Sequence, residues 1–73
     1  MDTSYVVIEL QTLADGRIAN NAIAYTDIRD ANAKYHTILA AAAKSNLPAH
    51  AAVILTNEGY VQAQQCYTNN DSN

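Results

Sequence analysis

The chain has 73 residues, of which 49% are hydrophobic and 15% charged, enough for one small core and too few for two domains. Seven acids against four bases, a net charge of −3, exclude a surface built to track nucleic-acid phosphates. A core of this size supplies no more than about 3–5 kcal/mol, so support from a second copy or a partner is expected.

From Tyr5 to Leu13, Val6, Ile8 and Leu10 alternate with Tyr5, Val7, Glu9 and Gln11, the period of a strand. Asp15-Gly16 follows and predicts a two-residue type I′ turn, with a second strand over 17–25. That register pairs Ala14 with Arg17, Ile8 with Ile23 and Val6 with Tyr25, and assigns Val6, Ile8 and Leu10 to the core.

Asp27 is a suitable N-cap and Asp30 adds a carboxylate to the first helical turn. Ile28, Ala31, Tyr35, Ile38, Leu39 and Ala42 recur at helical spacing and form one apolar stripe. Lys44 suits the negative helix end, Asn46 can adopt a left-handed exit and Pro48 prevents continuation, so the helix should end near Ser45.

A third strand is expected from His50 to Thr56, then a three-residue loop Asn57-Glu58-Gly59 and a fourth strand from Tyr60 to about Tyr67. The loop sets Leu55 opposite Val61, Val53 opposite Ala63 and His50 opposite Cys66. The fold class is therefore α+β: ββαββ, with an antiparallel sheet in the order 2-1-3-4 and one helix on one face. Order should extend over about 4–67, with the polar tail 68–73 frayed.

Alternation leaves the face away from the helix carrying Tyr5, Val7, Ile18, Ile54 and Tyr60, mixed with the polar Asn20, His50, Gln62 and Gln64. So many apolar groups suggest a covered face. Self-association as a homodimer or larger oligomer is the expectation, with Tyr5, Val7, Ile18, Ile54 and Tyr60 as the interaction face. The alternative is a small-ligand or nucleotide-signal sequestering protein, with His50, Gln62, Gln64 and Asn20 contacting a ligand between protomers. Ala33, Ala40, Ala41 and Ala43 offer a second contact surface on the helix, although helix propensity alone accounts for them.

His50 beside Cys66 invites a nucleophile reading, but no orienting acid or anion-holding glycine loop accompanies the pair. His36, His50 and Cys66 have no metal-ligand spacing. No catalytic residue, metal or cofactor is expected. Five tyrosines could stack on bases, yet only Tyr5 and Tyr60 fall on the open face and no basic stripe flanks them, so nucleic acid is not an expected partner. The start Met1-Asp2-Thr3-Ser4 lacks a basic region, and the longest uncharged apolar window, Thr37 to Ala43, is far short of the roughly 20 residues of a membrane span. With one cysteine, a reducing cytoplasmic setting is expected.

Lys34-Tyr35-His36, Leu39, the run Ala40 to Ala43, Ser45 and Pro48-x-His50-x-Ala52-Val53-Ile54-Leu55, with the opening Tyr5-Val6-Val7-Ile8-Glu9, resemble a group of short uncharacterised proteins associated with anaerobic gut bacteria and their prophages. The resemblance implies a mobile-element accessory protein that binds something of the host or the virion. It carries over no functional residue.

Overall fold

Asp27 is where the first hairpin gives way to the helix: its Oδ1 accepts a hydrogen bond from the Arg29 backbone N–H at 2.8 Å while its backbone remains extended, the geometry of an N-cap. The computed structural model describes residues 3–69 and arranges them as β1 (Tyr5–Thr12), β2 (Ile18–Tyr25), α1 (Ile28–Ala42), β3 (Ala49–Thr56) and β4 (Val61–Thr68). The four strands form one sheet in the order β2-β1-β3-β4 with every neighbouring pair antiparallel, so the fold is α+β with one helix on a four-stranded sheet. The frayed tail expected over 68–73 lies outside the described residues beyond position 69; Thr68 still belongs to β4, and the Asn69 N–H donates to Pro48 C=O at 3.0 Å.

Both hairpins close through three-residue loops. Leu13 N–H donates to Arg17 C=O at 2.7 Å and Gly16 N–H to Leu13 C=O at 2.9 Å; Thr56, Tyr60 and Gly59 repeat the arrangement at 2.8 and 2.9 Å. Gly16 and Gly59 have φ of 91° and 90°, and no other described residue has positive φ. The expected type I′ turn at Asp15-Gly16 is therefore corrected. That turn needs positive φ at both central residues, whereas Asp15 keeps a negative φ and its Oδ1 accepts from the Arg17 backbone N–H at 3.0 Å. The loop is Ala14-Asp15-Gly16, which pairs Val7 with Ile23 and Ile8 with Ala22, one residue from the expected register.

A second shift arises in β4. Leu55 opposes Val61 as expected, but Ile54 opposes Ala63 and Val53 opposes Gln64. Gln62 is an extra residue, a β-bulge, and beyond it His50 opposes Tyr67 while Cys66 opposes Ala51.

A one-residue slip exchanges the two faces of a strand, and the core moves accordingly. The side chains packed between sheet and helix are Val7, Ala52 and Ile54 from the sheet and Ala31, Tyr35 and Ile38 from α1, with Tyr5, Tyr25, Ile28, Leu39 and Ala63 around them. The helical stripe agrees with its spacing. Val6, Ile8 and Leu10, expected in the core, lie on the other face together with their β3 neighbours Leu55 and Val53. Tyr5, Val7 and Ile54, expected on the interaction face, lie under the helix. Ala31 and Ala52 are fully buried, and side chains this small let the helix axis come close to the central strands.

The helix leaves its last regular turn at Ala42. Lys44 and Ser45 N–H groups bond three residues back, to Ala41 and Ala42 C=O, each at 3.1 Å, so the helix tightens before it ends. Asn46 does not take the left-handed exit expected of it. No helix is long and apolar enough to cross a membrane among the described residues.

Candidate functional site

The face of the sheet opposite α1 is assembled in four cross-strand rows. Ala24, Val6, Leu55 and Val61 form the first; Ala22, Ile8, Val53 and Gln64 the second; Asn20, Leu10, Ala51 and Cys66 the third; Ile18, Thr12, Ala49 and Thr68 the last. None of these residues is charged. The helix-covered face, by contrast, carries Glu9, Gln11, Asn21, His50 and Gln65 in its own rows. The more apolar of the two faces is thus the uncovered one, with β-branched or leucine side chains filling its centre. Ile18 and Val61 are 62% and 57% exposed at its margins.

The extent of this face follows from strand geometry. Eight residues at about 3.3 Å each and four strands about 4.8 Å apart give a footprint of about 500 Å². Two such footprints in contact remove at least about 1,000 Å² of surface from water, the lower bound of a specific interface.

Of the residues expected to form the interaction face, Ile18 lies on it and Tyr60 precedes β4, exposed to 70%. Val6, Ile8, Leu10, Val53 and Leu55 are the residues that sequence reasoning missed there. Apolarity is their signal in the sequence, and it fits a covered side as readily as an open one. The alanine-rich surface of α1, Ala33, Ala40, Ala41 and Ala43, is exposed.

The residues expected to contact a ligand do not converge. Asn20 and Gln64 stand on the open face at opposite edges of the sheet, Gln62 occupies the bulge, and His50 is buried on the helix side. The expected juxtaposition of His50 and Cys66 is also corrected, since the bulge puts imidazole and thiol on opposite faces. His50 Nε2–H instead donates to Glu9 Oε2 at 2.7 Å, and His50 Nδ1 is buried without a hydrogen-bond partner among the described residues. This pair answers a packing problem: Glu9 shares the inward side of β1 with Val7, and the imidazole satisfies one of its oxygens.

An open recess beside the helix start is lined by Thr3, Tyr5, Thr26, Asp27 and Ile28. Its one ionised group is engaged. Arg29 Nη2–H donates to Asp27 Oδ2 at 2.9 Å, and this hydrogen bond, with that from the Arg29 backbone, holds the Asp27 carboxyl below the usual carboxylate range.

Among the described residues, no three His, Cys, Asp or Glu side chains are grouped so as to hold a metal ion. Compared with known proteins, the chain matches no family model, no curated protein and no solved structure.

Proposed function

We propose that this chain is a non-enzymatic interaction protein that works by occupancy, and that its uncovered sheet face is the contact surface through which it self-associates. One observation carries the reading: the larger apolar side chains of β1 and β3, Ile8, Leu10, Val53 and Leu55, face away from the helix on a surface without charge. A solvated antiparallel sheet face ordinarily alternates to polar residues, and apolar surface of this extent marks a contact site. The small core supports the same reading, because burial at a second surface adds stability that one helix on one sheet does not supply. Resemblance to prophage-associated proteins fits an accessory factor whose assembled form holds a host or phage partner in the cytoplasm.

Sedimentation of the native protein at about 10–50 μM, a range that spans ordinary dimer affinities, tests the reading. The expected result is a dimer or larger species, shifted to lower mass by Val53→Lys, which sets an ammonium group in the middle of the contact. A monomer at these concentrations, or an unchanged mass for a folded Val53→Lys variant, would overturn it.

A further inference from the structure

The edge formed by β2 is as open as the face beside it. Native sheets guard their edge strands with lysine, proline, bulges or a covering element, and Ile18–Tyr25, IANNAIAY, has neither charge nor proline, forms an unbroken register with β1 and contains no positive φ. The helix-side cluster takes in Tyr25 at the end of β2, while Ile18, Asn20, Ala22 and Ala24 along the strand are exposed. The other edge, β4, is interrupted by its bulge at Gln62.

Alternation shows what this edge presents. Leu13 N–H donates to Arg17 C=O, so the backbone groups of Ala19, Asn21, Ile23 and Tyr25 point inward to β1 and those of Ile18, Asn20, Ala22 and Ala24 point out. We propose that this edge pairs antiparallel with the same strand of a second copy across a two-fold axis at Asn21, joining two sheets into one of eight strands. Of the antiparallel registers that match outward groups with outward groups, the one centred on Asn21 engages all four: Ile18 with Ala24 of the second copy and Asn20 with Ala22, each twice. Arg17 then stands opposite a tyrosine, Tyr25, of the other copy, and because Arg17 is already paired with Asp15 at 2.6 Å no unpaired like charges meet at the strand ends.

The consequence for assembly rests on the proposed function. Edge pairing lays two uncovered faces side by side and doubles the continuous apolar footprint to about 1,000 Å². Stacking two such pairs face to face buries about 2,000 Å², well inside the range of stable assemblies. The edge axis is perpendicular to the sheet and the stacking axis lies in its plane, so the two axes close a tetramer with dihedral symmetry and the helices outside.

Asn21 permits a test of the edge alone, because it is exposed and shares the helix side of β2, away from the stacking face. In a Cys66→Ser background, which removes the one native cysteine, Asn21→Cys places thiols on the axis, where non-hydrogen-bonded antiparallel partners have Cα atoms about 4.5 Å apart, within disulfide range. At position 19 or 23 the same substitution leaves the two copies roughly 13 Å apart along the strand. Mild oxidation is expected to give covalent dimers from Asn21→Cys and at least tenfold fewer from Ala19→Cys or Ile23→Cys. Native mass spectrometry is expected to show tetramers for the native chain and dimers for Asn21→Lys, with circular dichroism confirming that the variant is folded. Equal cross-linking at all three positions, or a folded Asn21→Lys with the native mass, would overturn edge pairing; if Val53→Lys still lowers the mass, the stacking face stands without it. An unchanged mass for Val53→Lys together with selective cross-linking at position 21 would remove the face and keep the edge.

Discussion

Glu9 and His50, 41 positions apart in the chain, meet on adjacent central strands with 2.7 Å between Oε2 and Nε2. His50 lies opposite Gln11 and Glu9 opposite Ala52, so the contact is a diagonal one across the helix-covered side. A carboxylate there is tolerated because a buried donor meets it. Glu9→Gln retains an acceptor and is expected to cost about 1 kcal/mol, the difference between charged and neutral hydrogen bonds; Glu9→Leu strands the imidazole N–H and is expected to cost about 1–3 kcal/mol. Urea denaturation of the two variants checks the order, and equal losses would show that the bond contributes nothing.

Adjacent residues of β3 are expected to respond oppositely to the same change. Ile54 is fully buried against α1, so Ile54→Ala is expected to cost about 2–5 kcal/mol and Ile54→Lys to abolish folding. Val53 points to the uncovered side, and Val53→Lys is expected to leave the far-ultraviolet circular dichroism of a folded chain. Loss of structure in both would mean that the two faces do not differ in burial.

Burial raises the Tyr35 hydroxyl above its ordinary pKa of 10.0, with a smaller contribution from Tyr67. The unfolded chain therefore releases this proton first as pH rises. The stability tied to protonated Tyr35 is intact below about pH 10 and is lost as pH climbs from there through the higher folded value. Melting curves in alkaline buffers are expected to show a falling midpoint that is shallower for Tyr35→Phe; parallel curves would assign the alkaline loss to other groups.

Gly16 and Gly59 hold the same left-handed position in the two hairpins, and a Cβ at either would meet no heavy atom within 4 Å. Substitution meets backbone strain and no steric contact. Gly16→Ala and Gly59→Ala are each expected to cost about 1–2 kcal/mol, and because the loops sit at opposite ends of β1, the double variant should show the sum within about 0.5 kcal/mol. Denaturant midpoints decide it.

The helical stripe and the N-cap at Asp27 were legible because each depends on a local period or a single turn, and strand order because two hairpins and one crossover through the helix leave few arrangements. The choice of covered face was not. Val6, Ile8 and Leu10 alternate with Tyr5 and Val7, so β1 is apolar on both sides at its start and its pattern does not select one. Register had to decide, and it turned on whether Asp15 adopts positive φ, for which the resemblance of Ala14-Asp15-Gly16 to Asn57-Glu58-Gly59 was the available signal. Glu9 and His50 also misled: each alone marks a strand side as wet, and only their pairing across 41 positions makes that side compatible with burial. The bulge left no mark in the alternation of β4, where Gln62, Gln64 and Gln65 fit either phase.

Gln62 has a meaning for growth in one dimension. Without it, Val61 and Ala63 would still oppose Leu55 and Ile54, now in an uninterrupted ladder, so the chain can lose this residue and keep both hairpin registers. What it would gain is a straight, uncharged β4 edge to match that of β2. A molecule able to accept strands at both ends of its sheet propagates as a ribbon, and light scattering that rises with time in a Gln62 deletion, but not in the native chain, would identify the bulge as the device that keeps the assembly finite.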